Sequence, residues 1–329
     1  SGSANIKVVE VQSGQEIPFQ LVTVNGVNKL RILAENIPSV GYKTYEIQTG
    51  TGTSFPNAVT TTGNIMENDF YRITVTNSGV ITSLQDKLNS NTEYCLPTNS
   101  KYINDLGSGN SNTGTLTLIN NGAVSATFQC SSSNPLQHTT LITLYKGINR
   151  IDLQNTINAN FGDDIRTYSF SFNLSNPTTY HEELGAILKV KNVSSGGHYA
   201  TNAKRHTWQT LNHFADIGIS GRGITLSNAD AGFMKIGSST TDFLDENSSQ
   251  INVLAGGRMA GSGPGIYNQH GDTQFLNRFA LHVHNNDFNQ AAAMKWALEH
   301  QNPFISGEVG EGTSYPEAIF SYLSVSDSN

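Results

Sequence analysis

Charge is scarce in this chain. Asp, Glu, Lys and Arg make up 14% of its 329 residues, and they leave a formal net charge of −7 with no basic block. A nucleic-acid binder needs such a block to neutralise phosphates, so no nucleic-acid partner is expected. Apolar residues never form a run of about 18, the length that spans a bilayer as a helix, and no membrane partner is expected either. The first residues have neither the charged start nor the apolar middle of a secretory signal. Cysteine is limited to Cys95 and Cys130, which leaves open one disulfide or two buried thiols, and with that the compartment. No G-x-S-x-G elbow is present and neither cysteine has a neighbouring histidine, so nucleophilic catalysis by Ser or Cys has no support.

What the chain has instead is Gly, Asn, Ser and Thr around short apolar stretches, a turn-rich and strand-rich mixture. Strands are expected at 6–11, 17–24, 30–33 and 42–47, separated by Ser13-Gly14, Asn25-Gly26 and the Pro38 to Gly41 turn. This spacing predicts a small antiparallel β-domain over 1–48, and Thr- and Gly-rich 49–63 reads as a linker. From Ile65 to Val75 a strand is expected with Phe70, Ile73 and Val75 on the buried face, followed by the Asn77-Ser78-Gly79 turn and a second run through Val80, Ile81 and Leu84. Further strands are expected through 304, which predicts a large sandwich over 64–304. Polar stretches 98–114 and 237–249 read as long surface loops. One short helix is expected, with Asp287 as N-cap, Gln290 completing a capping box, Ala293, Trp296, Ala297 and His300 on one face, and Asn302-Pro303 as its stop. Residues 305–329 read as an extended tail.

Candidate chemistry is thin. Retaining glycoside hydrolysis needs two carboxyl groups about 5 Å apart. The doublets Asp163-Asp164 and Glu182-Glu183 do not supply such a pair, because neighbours along a strand diverge, and solvated turns account for both. His270-x-Asp272 has the spacing of two metal ligands on one strand face, as does His282-x-His284, although a structural role accounts for each. Gly261-Ser262-Gly263-Pro264-Gly265 lacks the following Lys of a phosphate loop, and Pro264 removes a donor. Tyr168, Tyr180 and Trp208 would serve a sugar as an aromatic platform or fill the core.

Several motifs together resemble glycoside hydrolase family 38, the α-mannosidases. Ile17-Pro18-Phe19-Gln20-Leu21 and the stretch from Ile37-Pro38 through Gly41-Tyr42-Lys43-Thr44-Tyr45 look like elements of the family's small β-domain. The 65–87 hairpin, Thr140-Leu141-Ile142-Thr143-Leu144-Tyr145-Lys146-Gly147, His206-Thr207-Trp208, Gly223-Ile224-Thr225-Leu226-Ser227-Asn228 and Phe279-Ala280-Leu281-His282-Val283-His284 resemble its post-catalytic sandwich, in the family's order. The resemblance implies an all-β fold: the small domain, then a galactose-mutarotase-like β-supersandwich.

The resemblance also implies what this sequence does not contain. Family members carry catalysis on an N-terminal α/β domain with a zinc ion, a nucleophilic Asp and an acid/base carboxylate. No catalytic residue and no cofactor are therefore expected in this chain, which is expected to be inactive alone, truncated at both ends and partnered by that catalytic domain. The expected substrate of the whole is an α-mannoside or oligosaccharide. An arginine after the strand at 251–254 projects back into the cleft in the family, and Arg258 is its nearest match, although Gly256-Gly257 stands where bulkier or basic residues are usual. A guanidinium there would donate paired hydrogen bonds to sugar hydroxyls. A free-standing carbohydrate-binding module and a structural or oligomerisation segment are the alternative readings.

Overall fold

The alternation of apolar and polar residues is realised as strand throughout a computed structural model that describes residues 5–24, 26–201, 206–258, 267–309 and 317–323. The all-β expectation is met, with one α-helix among the described residues. The chain divides into two units, Ser1–Val59 with Asn120–Ser125 and Phe304–Asn329, and Thr60–Ile119 with Ala126–Pro303.

The first unit is built from two-stranded ladders: Ile6–Glu10 with Tyr45–Thr49, Phe19–Val24 with Val27–Ile32, and Gly41–Lys43 with Ile319–Ser321. Val8, Val9, Val22 and Val59 form its small buried core. The motif residues now have physical reasons. Gln20 is buried, its amide donates to Ser125 Oγ at 3.1 Å, and its carbonyl accepts from the Val124 and Ser125 N–H groups at 2.9 Å each. Two backbone N–H groups that burial would otherwise leave unpaired are satisfied by one side chain. Gly41 is glycine because any Cβ would run into the Phe320 carbonyl of the paired strand, and Tyr42 stacks on Phe320 with ring centres 6.0 Å apart. The expected tail thus contributes a strand to this unit.

The second unit holds two sheets. In spatial order the first runs Gln209–Thr210, Phe233–Ile236, Gln250–Gly256, Arg166–Ser171, Ile103–Asp105, Ile81–Asp86, Tyr71–Val75, Ile65–Glu67 and Thr60–Thr62, with Thr92–Glu93 beside Ile81–Asp86. The second runs Thr115–Asn121, Ser125–Ser132, His138–Tyr145, Ile151–Ile157, Phe275–His284, Arg222–Asn228, Phe214–Ile219, Thr178–Glu183 and Ala186–Lys189. The sheets meet through Phe279, which is fully buried and takes Tyr168 and Phe170 edge-on at 5.8 and 5.3 Å. Tyr71 links them by a polar contact, its hydroxyl accepting the Val283 N–H at 3.0 Å.

Four local expectations are corrected. The stretch 65–75 is not one strand: Asn68 Oδ1 accepts from the N–H groups of Phe70 and Tyr71, the chain reverses there, and Ile65–Glu67 pairs with Tyr71–Val75. With the strand starting at Tyr71, it is Tyr71 that faces inward with Ile73 and Val75, and Phe70 lies on the turn. Residues 49–63 are not linker to their end, because Thr60–Thr62 pairs with Ile65–Glu67.

Stretch 98–114 is not a surface loop either: Ile103–Asp105 is buried between Ile81–Asp86 and Arg166–Ser171. Asn104 and Asn155 exchange amide hydrogen bonds at 3.0 and 2.8 Å, and Thr140 donates to Asn155 at 2.8 Å, so polar residues are buried fully paired.

The helix, Gln290–Gln301, is capped by Asn289, which accepts from the Ala292 N–H, and not by Asp287, which accepts from the Gly221 N–H instead. Phe288, stacked on Tyr180 at 4.2 Å, occupies the chain between them, and the helix starts after it. Ala293 and Ala297 pack on Phe214 as the expected apolar face.

Replacing Phe279 with Ala should cost about 3–5 kcal/mol, the usual loss for a buried aromatic. Tyr71→Phe, which strips the acceptor from a buried N–H, should cost about 1–3 kcal/mol. Denaturant unfolding of both variants checks the order, Phe279→Ala being the worse.

Candidate functional site

Arg258 follows the end of Gln250–Gly256, a strand paired antiparallel with Arg166–Ser171, with a register shift between Arg166 and Thr167 beside it. The two glycines before it allow a tight approach. Gly257 has φ +105°, a conformation that disfavours any side chain, and a Cβ there would overlap the Asp164 carbonyl. A Cβ at Gly256 would lie 2.6 Å from the Phe161 ring. The departure from bulkier residues at these positions is therefore a requirement of the 161–165 turn, and it presses Arg258 onto that turn.

Arg258 donates its backbone N–H to the Asp163 carbonyl at 3.1 Å and reaches the Asp163 carboxylate with Nη1 at 3.4 Å. Its guanidinium lies 5.9 Å from the centre of the exposed Tyr267 ring. Asp163 also accepts the Asn268 N–H at 2.8 Å. Asn160 donates to the carbonyls of Asn268 and Asp272, and Gln269 to that of Gly162. These bonds hold Asn268, Gln269 and His270 in three consecutive left-handed conformations, with φ of 46°, 51° and 52°. Such backbone persists only where its surroundings enforce it, and it gathers at binding sites. The Arg258 side chain is 21% exposed and the Asp163 pair is long, so the guanidinium keeps donors for an outside ligand. Tyr267 and Asn160 are the members of this site that the sequence did not announce, and the polar Asn-rich turns gave no signal beyond loop.

The other candidates fall apart from this site or into the framework. Asp164 pairs with Arg166 at 3.0 Å, outside any carboxyl pair. Glu182 and Glu183 end the strand Thr178–Glu183, so the solvated-turn reading is corrected for them. Glu182 is 1% exposed and binds the N–H and ring of His213, whereas Glu183 accepts from Thr210. His270 and Asp272 are both exposed on a turn and not on a strand face, and among the described residues no three His, Cys, Asp or Glu gather as a metal-ligand set.

His284 pairs with buried Asp216 at 3.0 Å, and His282 lies against Trp296. Cys95 and Cys130 are free and buried, and burial pushes both thiols up to about 12. Tyr168 fills the core, Tyr180 lies under Phe288 and Trp208 is half-buried, so they form no joint shelf. Gly261 to Gly265 lie outside the described residues.

Four histidines are shifted from their ordinary value. Burial pushes His181, His282 and His300 below the ordinary 6.5. For His284 burial works the same way, but the hydrogen bond and charge of Asp216 outweigh it and raise its pKa. A lowered histidine lends stability above pH 6.5 that fades as pH falls below it, whereas the raised His284 lends stability below 6.5 that fades as pH rises through its folded value. Thermal unfolding should therefore show Tm climbing as pH approaches 6.5 from below, and His284→Gln should remove the loss on the alkaline side while keeping the acid limb.

No family model matches the chain, and no curated protein matches it. Among solved structures it is similar to an alpha-mannosidase from Enterococcus faecalis V583, with TM-score 0.70 and 13% identity over 98% of this chain and 42% of that one. It is also similar to a protein in glycosyl hydrolase family 38 from Enterococcus faecalis, with TM-score 0.69 and 14% identity over 98% of this chain and 44% of that one. A galactose mutarotase related enzyme from Lactobacillus acidophilus aligns with 68% of this chain at TM-score 0.41 and 11% identity. The chain thus spans less than half the length of the first two structures, and at these identities the likeness is one of fold.

Proposed function

We propose that this chain is the post-catalytic β region of a retaining, zinc-dependent α-mannosidase, in which it supports a separate catalytic domain and lends Arg258 to the sugar. The observation that carries the reading is the fold match over 98% of the chain to an alpha-mannosidase, found independently of the ordered motifs in the sequence. The site chemistry agrees with it. Arg258 is braced by Asp163 and the 267–271 turn, with donors left over and an exposed aromatic ring beside it, a combination suited to an uncharged polyhydroxylated ligand. In this reading zinc, nucleophile and acid/base residues belong to the catalytic domain, and the chain alone does not hydrolyse mannosides. A carbohydrate module built on an aromatic platform has less support, since Tyr168 and Tyr180 are packed away.

In the full-length enzyme, Arg258→Ala should lower kcat/KM on α-mannosides by about 10- to 100-fold, the worth of a charge-assisted hydrogen bond of ~1.5–3 kcal/mol. Unchanged kinetics in a folded Arg258→Ala enzyme would take Arg258 out of the sugar site.

A further inference from the structure

A concave site lies in the same unit, away from every residue used above in the Arg258 turn. It is a cleft of about 360 Å³ walled by Asn192 on one side and by Asp242, Phe243, Leu244, Asp245, Glu246 and Asn247 on the other, with His206 in its lining. Its walls are tied together. Glu246 Oε2 accepts from the Asn192 N–H at 2.7 Å and from the Asn192 amide at 3.0 Å, and Oε1 accepts from Ser195 Oγ at 2.8 Å. Asp245 Oδ2 accepts from Ser238 N–H and Oγ at 2.8 and 2.9 Å. The carboxylates that make the cleft look acidic are thus largely spent on its construction, which argues against a cation site.

The independent observation is His206. It is 3% exposed, its ring packs edge-on to Tyr199 at 6.3 Å, and neither ring nitrogen has a hydrogen-bond partner among the described residues. A buried imidazole on a cleft wall with both nitrogens unfilled is a donor and an acceptor waiting for a ligand that offers both. A hydroxyl group does. Asn247, whose carbonyl oxygen accepts from Lys191 Nζ, leaves its amide as a further donor, and Asp245 Oδ1 is a further acceptor. Phe243, 55% exposed, offers an apolar face to ring C–H groups. The volume sits at the small end of the ~300–1,000 Å³ range of ligand sites, room for one or two sugar rings.

We infer that this cleft binds a neutral pyranoside, with His206 bonding a ring hydroxyl and Phe243 lying against the sugar face, independently of Arg258. The test is saturation-transfer difference NMR on the intact chain with the methyl glycosides of mannose, glucose, galactose and N-acetylglucosamine. At least one should receive saturation at its ring protons. Phe243→Ala, at a position exposed enough to leave folding intact, should then weaken binding about 2- to 10-fold, the worth of one aromatic contact. His206→Gln should weaken it further, and Arg258→Ala should leave it unchanged. Binding lost in Arg258→Ala but intact in Phe243→Ala would assign the sugar to the Arg258 turn and overturn the cleft. No transfer to any of the four glycosides would overturn it as well. Neither result bears on the kinetic role of Arg258 in the full-length enzyme.

Discussion

The second unit depends on one strand being covered on both faces. Phe275–His284 pairs with Ile151–Ile157 on one edge and Arg222–Asn228 on the other. Its inward residues Phe279, Leu281 and Val283 meet the opposing sheet, and on the outer side Ala280 is buried and His282 is half-covered by Trp296. A sheet normally leaves one face to water and can be patterned accordingly. Here the outer face must also be satisfied, and its polar residues are placed in pairs: His284 with Asp216, Thr225 with Asp216, Ser227 with His300. These pairs explain why histidines at metal-like spacing belong to the framework.

Much of the fold was legible because burial writes itself as alternation. Strands such as Ile151–Ile157 and Phe275–His284 carry it plainly, and the helix announced its stop at Asn302-Pro303. Two of the departures share one physical cause, polar residues satisfied by each other. Ile103–Asp105 is central in its sheet, but Asn104 and Asp105 read as loop because their partners are 25 to 51 residues away or in their own turn. Thr178–Glu183 escaped for the same reason, its buried Glu182 and His181 being paired with His213 and Tyr199. The Asn68 reversal was hidden by a hydrophobic run on either side of it.

The candidate site was legible only as a single residue. Arg258 stands out only through resemblance, and the glycines before it look like a departure, whereas the close packing of Gly256 and Gly257 on the 161–165 turn is what fixes its place. Tyr267 and the left-handed turn behind it follow from tertiary hydrogen bonds by Asn160 and Gln269, which no local pattern encodes. The His206 cleft was still less visible, since its walls come from segments some fifty residues apart joined by Glu246.

The strand Ile319–Ser321 completes a ladder begun at Gly41–Lys43, with Ser321 Oγ donating to the Ser39 carbonyl across 282 residues of chain. The first unit is therefore discontinuous, and the second unit is inserted within it in two segments, Thr60–Ile119 and Ala126–Pro303. Closing so long a loop as a random chain is slow and entropically costly, whereas a folded insert shortens the effective loop. During synthesis the order is then imposed by topology: the large unit can be complete while the small one, started first, still waits for the last of its own strands to emerge.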